Sequence, residues 1–430
     1  MYPTAYRHVF IFSLGLIAAP LKADTFLQCA RMLNGESLEL HQEKTIQISG
    51  NRITAVHDGS VAGSPADTVL TLDDATCMPG LIDNHVHITS QQSPTRFIDR
   101  FRLDPADYAY ASVPYAERTL MAGFTTVRDL GSNHNLALSL REAVNRGHVI
   151  GPRIYAAGKS IATTGGHADP SNGTNQALRG DPGPREGVIN SAADARKAVR
   201  QRYKDGADLI KITATGGVLS EAKSGQNSQF AAGELDALIK IARDYGFKVA
   251  AHAHGAEGMK RAVIAGVDSI EHGTYMDLET MKLMRESGTA YVPTIIAGRF
   301  VAEKADVDGY FSDKVRPKAK AIGPLIQDTF ARAYKQGVPI VFGTDSGVSP
   351  HGDNWKEFTY MVEAGMPAAE ALTSAMKKGA ELIGVEADLG TIEAGKLADV
   401  IAVSGNPIED IRRMQYVTLV MKDGKLYKQP

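Results

Sequence analysis

The sequence predicts an α/β protein: a (β/α)8 TIM barrel carrying a small β-sandwich built from both chain ends. Three observations predict it. Strand-like and helix-like patterns alternate through the middle of the chain, about 80–388. Short strands with turn signals occupy both ends, 24–79 and 389–430. Metal-capable side chains recur near the C-terminal ends of several candidate barrel strands, where barrel enzymes assemble their sites.

The first residues stand apart from this pattern. Arg7 and His8 precede an apolar run, Val9 to Ala19, followed by Pro20-Leu21-Lys22-Ala23. This predicts a signal peptide, residues 1–23, and an exported protein, periplasmic or secreted. The run is short for a membrane span, and no later apolar stretch reaches about 18 residues. Loss of Arg7 and Lys22 moves the formal net charge from −2 to −4, so no basic field for nucleic acid is expected. With 43% hydrophobic and 22% charged residues, the chain has the composition of a large globular fold.

In the N-terminal segment 24–79, the stretch Thr45 to Ser49 alternates, Gly50-Asn51-Arg52 turns, and Ile53 to Val56 continues. Cys29 and Cys77, the only two cysteines, both fall in candidate strands there. An oxidising compartment permits a disulfide between them; two buried thiols are the alternative. At the other end, Asp399 to Val403 and Tyr416 to Met421 read as strands, and Asp423-Gly424 as a hairpin signal.

Eight candidate strands fill the middle: 82–88, 124–129, 152–158, 207–213, 248–254, 268–273, 290–295 and 339–345. Helical stretches such as Gly233 to Tyr245 and Ala256 to Ala265 lie between most of them. This alternation fits a barrel, and an open doubly wound sheet would read similarly. The segments 159–195 and 216–230 have little periodicity and many small or polar residues. Such long loops commonly cover or line a site.

Chemistry-bearing residues sit on this frame. Pro79-Gly80-Leu81-Ile82-Asp83-Asn84-His85-Val86-His87 places two histidines two residues apart, on one face of a strand. Asp208-Leu209-Ile210-Lys211-Ile212 sets a lysine among apolar neighbours, where it must lose its proton, find a partner or reach solvent at the strand end. A neutral lysine amine can take up carbon dioxide as a carbamate, an anionic ligand able to bridge two metals. Ala250-Ala251-His252-Ala253-His254-Gly255, Ser269-Ile270-Glu271-His272-Gly273 and Phe342-Gly343-Thr344-Asp345-Ser346 each end a candidate strand with a ligand-type residue. Five strands ending this way are hard to explain by core packing.

The set His85-x-His87, Lys211, His252, His272 and Asp345 resembles the amidohydrolase superfamily, in particular its two-metal members with a carboxylated lysine. Within it the chain is similar to exported Xaa-Pro dipeptidase and carboxypeptidase-like enzymes, a group that includes ochratoxin-hydrolysing amidohydrolases. Asp208 to Gly217, Val249 to Gly255 and Gly266 to Gly273 carry that nearer likeness. The resemblance implies two divalent ions, zinc above all. His85, His87 and Asp345 would hold one, His252 and His272 the second, with carboxylated Lys211 and a hydroxide between them. The hydroxide would attack the substrate carbonyl, and Asp345 would act as general acid/base.

The implied substrate is a small amide or dipeptide whose scissile bond adjoins a free carboxylate. His167 and His254 are candidates for catalysis and substrate binding, and Arg299 for holding the carboxylate. Some relatives place a tyrosine near the carbonyl; the stretch 212–244 holds none, and Phe230 sits in a plausible region for it, so no tyrosine role is expected there. Rival readings are a cyclic-amide hydrolase of the imidazolonepropionase kind, an ester or phosphotriester hydrolase, and a non-catalytic binding barrel. Relatives often form homo-oligomers, so an oligomer is expected here.

Overall fold

The computed structural model describes residues 23–222 and 224–430, so the expected signal peptide lies, apart from Ala23, outside the described residues. The chain opens with four strands: β1 (Thr25–Leu33), β2 (Leu40–Ser49), β3 (Arg52–Asp58) and β4 (Thr68–Pro79). Seven more follow: β5 (Leu81–Val86), β6 (Phe124–Asp129), β7 (Arg153–Ala156), β8 (Ile210–Thr213), β9 (Val249–Gly255), β10 (Ser269–Tyr275) and β11 (Ala290–Val292). The chain closes with β12 (Val400–Ser404), β13 (Val417–Lys422) and β14 (Lys425–Lys428).

The middle of the chain is the expected parallel barrel. β5, β6 and β7 form one parallel run and β8 to β11 another. Ile161, beyond β7, bridges Ile212 of β8 and joins the two runs. The eighth stave is the segment 339–346. It pairs with β11 through Tyr291 and Ile340, and with β5 through Val86 and Ser346. It forms isolated bridges rather than a continuous ladder, because Pro339 has no N–H to donate and Asp345 takes a left-handed backbone, φ 58°. Helices pack outside, such as Ala232–Asp244 after β8 and Ala256–Ala265 after β9. Alternation decides what faces them. Ile210 and Ile212, and Val249, Ala251 and Ala253, join the large core shared with these helices. Lys211 and His252 point the other way, into the barrel.

The two chain ends meet in one hydrogen-bonded series, β14-β13-β12-β4-β1-β2-β3. The twelve-residue β4 makes this possible. It runs parallel to β1, and its last residues, Ala75 to Pro79, pair antiparallel with β12. Ile46 and Ile53 from one end share a core with Val400, Leu419 and Met421 from the other. The opposite faces of the same strands, through Met78, Ile401 and Val420, belong to the barrel's core, so the small domain is continuous with the barrel. Cys29 and Cys77 are joined within the small core, Cα atoms 5.9 Å apart, which ties β1 to β4. No described helix is long and apolar enough to cross a membrane.

Candidate metal centre

The barrel's C-terminal mouth gathers the predicted residues. His85 and His87 share the inner face, while Val86 between them packs outward against Ala116, Val127 and Leu138. Their Nε2 atoms lie 3.5 and 3.3 Å from Asp345 Oδ1. Ligand atoms of these three residues all fall within 4.8 Å of one another, compact enough to hold a metal ion. The backbone draws them together, since Asp345 N–H donates to His85 O at 2.6 Å. Asp83 braces the same pair of strands, accepting from the N–H groups of His85 and Thr344 and from the Thr344 hydroxyl.

Hydrogen-bond partners fix the imidazole tautomers. His87 Nδ1 lies 2.8 Å from Gly131 O, and His85 Nδ1 lies 2.8 Å from the Glu271 carboxylate. Oxygens of these kinds only accept, so each Nδ1 carries the proton and each Nε2 offers its lone pair toward Asp345. His252 Nε2 lies 3.0 Å from Gly216 O, so its proton sits there and Nδ1 keeps the lone pair. The other rings crowd close: His272 lies 5.0 Å from His85 and 4.7 Å from His252, centroid to centroid. His272 reaches this position by a backbone break. Strict alternation would put it on the outward face with Ile270, but φ is 69° at His272 and 59° at Gly273. The His272 Nδ1–Thr294 Oγ1 contact at 2.7 Å and the bond from Tyr291 Oη to His272 O at 2.8 Å hold that turn.

Electrostatics match ligand chemistry. Burial drives the pKa values of His85, His252 and His272 well below the usual imidazole value, and those of His87, His167 and His254 to about 3. The Lys211 charge pushes all six in the same direction. The rings are therefore neutral, the state that binds metals. Burial lowers Lys211 to about 8 and raises Asp345 to about 7. Lys211 Nζ and Asp345 Oδ1 are both buried without a hydrogen-bond partner among the described residues. An orphaned carboxylate oxygen amid imidazole lone pairs fits a cation, and the Lys211 amine would fit beside it only once neutral or carboxylated.

The remaining candidates divide. His167 joins the site from its loop: its ring stacks on His252 at 4.3 Å, and its backbone N–H donates to Gln229 Oε1. His254 lies 4.7 Å from His252, with Nδ1 2.9 Å from Thr274 Oγ1. Arg299 is held elsewhere, on the helix Ile295–Lys304. It donates to Glu363 and Gln327 and lies over the Tyr360 ring. The reason is that β11 stops at Val292 and the chain turns at Thr294, φ 53°, straight into that helix. Phe230 is buried in the large apolar core.

Sequence reasoning missed Glu271 and Arg128. Glu271 accepts from Arg128 Nη2 at 3.0 Å and from the Ser269 hydroxyl at 2.5 Å, behind His85. The signal was two charged residues inside candidate strands with no visible outlet to water.

A parallel barrel whose strand ends gather neutral imidazoles, a buried lysine and a carboxylate defines a metal-dependent hydrolase class. Residues 76–427 match the amidohydrolase family, and the chain belongs to it, acting as a hydrolase of amide bonds. It is 32% identical to the ochratoxinase of Aspergillus niger over 372 residues, 82% of this chain and 76% of that protein. It is 53% identical to a Xaa-Pro dipeptidase solved with methionine in its active site, with TM-score 0.92, covering 94% of this chain and 100% of that one. A prolidase solved with N-methylphosphonate-L-proline is 31% identical, TM-score 0.85, covering 95% and 100%.

Proposed function

We propose that the protein hydrolyses amide or peptide bonds next to a free carboxylate, in Xaa-Pro-type dipeptides, C-terminal residues of short peptides or N-acyl amino acids such as ochratoxin. The observation that carries this reading is Lys211, buried and without a hydrogen-bond partner, amid neutral histidines and Asp345. The reading draws further support from the relatives, a dipeptidase with a bound amino acid, a prolidase with a proline phosphonate and an ochratoxinase.

In this proposal His85, His87 and Asp345 would hold one divalent ion and His252 and His272 a second, with Lys211, once carboxylated, as a shared ligand. Zinc suits such imidazole and carboxylate donors. The chemistry these ions supply is Lewis acidity, which polarises a carbonyl and eases the ionisation of water. The chain's own groups do the rest. Asp345, a buried carboxylate beside His85 and His87, would accept a proton and return it to the leaving amine. His167 and His254, both neutral and packed against His252, would be available to the substrate's carbonyl oxygen. Export is part of the proposal, supported by the leader-like residues 1–23 and by the Cys29–Cys77 disulfide.

The test is a substrate screen with metal-loaded protein across dipeptides, N-acyl amino acids, lactams, cyclic imides and phosphotriesters. Cleavage confined to the first two groups is expected. Cleavage of lactams or phosphotriesters alone overturns the proposal.

A further inference from the structure

Arg96 opens the short helix Arg96–Asp99, in the segment that follows β5 and His87. Its Nη1 donates to Gln92 Oε1 at 2.9 Å, and the Gln92 N–H donates to Gly347 O at 2.6 Å, just beyond Asp345. Gly347 is pressed against His87: a Cβ there would lie 2.8 Å from the His87 Cβ. The guanidinium is thus moored to the wall of the site that His87 and Asp345 make. Among the described residues no carboxylate lies within 4.0 Å of it. Other buried or half-buried arginines are paired: Arg128 with Glu271, Arg153 with Asp399 and Arg202 with Asp205.

An arginine cannot shed its proton, so a partly buried, unpaired guanidinium beside a reaction site calls for an anion. Burial holds Arg96 below its ordinary pKa, and the acid whose charge it feels most is Asp345. The only hydrogen bond described for its side chain is the one from Nη1. Nε and Nη2 therefore present a free edge, the edge that binds a carboxylate with two parallel hydrogen bonds.

We propose that Arg96 receives the substrate's free carboxylate, so that its Nε/Nη2 edge sets the preference for acids over their amides. This rests on the proposed hydrolysis of amides next to a carboxylate, and it gives the role expected of Arg299 to a residue in the segment after the first barrel strand. Arg96 contributes no proton to the reaction. It fixes one end of the leaving amino acid while the scissile carbonyl lies at the centre.

The experiment compares wild type, Arg96→Gln and Arg96→Lys, metal-loaded, on an N-acyl amino acid and its C-terminal amide. The same three proteins are titrated calorimetrically with L-methionine and L-methioninamide. The wild type should prefer each acid. In Arg96→Gln the acid-to-amide ratio should fall about 10–100-fold, the range for hydrogen bonds to a charged group, with the loss in KM rather than kcat. Arg96→Lys should recover part of the ratio. Metal content measured alongside shows that each variant is folded and loaded. A ratio that survives in Arg96→Gln, or a wild type without preference for either acid, overturns the assignment. Absence of turnover on every amide defeats the proposed function instead, and the methionine titration still decides on Arg96.

Discussion

Replacing Glu271 by glutamine keeps the side chain's shape and removes its charge. In the native site one carboxylate oxygen takes Arg128 Nη2 and the Ser269 hydroxyl, and the other takes His85 Nδ1. A glutamine has one acceptor and one donor end. With its oxygen toward Arg128, its amide NH2 confronts His85 Nδ1 and favours the tautomer protonated on Nε2, the atom that faces Asp345. With its oxygen toward His85, the NH2 confronts the buried Arg128 guanidinium. Either way one buried group loses its partner. Breaking a buried ion pair by removing one member costs about 3–5 kcal/mol, and loss of a carboxylate behind a metal-ligating histidine costs about 10–100-fold in metal affinity. Glu271→Gln should therefore unfold at a lower urea concentration and bind metal more weakly by about that factor. The double variant Glu271→Gln/Arg128→Met, which removes the stranded cation, should regain stability. The assay is the urea midpoint with the wild-type slope, together with metal titration against a competing chelator. A single variant within about 0.5 kcal/mol of wild type and with undiminished metal affinity refutes the argument.

Lys211→Ala should abolish turnover and most bound metal, read by elemental analysis beside an activity assay; a fully active variant removes the bridging role. Gly217→Ala puts a Cβ 2.1 Å from His167 Nδ1, so the ring must leave its stack on His252. We expect kcat to fall on the order of 100-fold with metal content preserved, and a wild-type kcat would take His167 out of the reaction. Glu357 is buried, accepts the N–H groups of Ile295 and Ile296, and has its pKa raised by burial to about 8. Its folded pKa lies above the ordinary 4.5, so its contribution to stability is full below about pH 4.5 and is lost as pH rises through 8. Glu357→Gln should flatten the decline in stability across that window by up to about 1.4 kcal/mol per pH unit; urea midpoints that keep the wild-type slope contradict this.

The parts of the site that follow strand alternation were legible. His85 and His87 share a face because they are two apart, and Lys211 and His252 fall opposite the apolar residues that pack on helices. Elsewhere alternation was no guide. His272 and Asp345 enter the site through left-handed backbone, which an alternating pattern does not encode. Arg299 looked close to the mouth by distance along the chain, but the turn at Thr294 carries it onto an outer helix. The Arg128–Glu271 pair joins residues 143 positions apart, and only the closed barrel brings them together. The eighth stave was placed correctly, but its interrupted pairing reflects Pro339 and the conformation of Asp345 rather than any change in hydrophobic pattern.

Those left-handed residues bear on how such a site keeps its chemistry. A non-glycine residue in that region costs on the order of 1–3 kcal/mol, and His272, Thr294 and Asp345 all carry it at strand ends around the mouth. Each is over-determined: Asp345 by its bond to His85 O, His272 by Tyr291 and Thr294, and the turn after Thr294 by Glu357 on the next two N–H groups. The central cage is therefore stiff. The segments that reach over it carry long side-chain tethers beside their backbone bonds. Lys318 Nζ donates to the carbonyls of Gly217, Ser220 and Ala222, Gln229 holds the His167 N–H, and Gln92 holds Arg96. A side-chain tether can be exchanged without disturbing the strand-end backbone. Residues in the loops carrying Arg96, His167 and Gly217 can thus be exchanged while the residues that would hold metal stay in place.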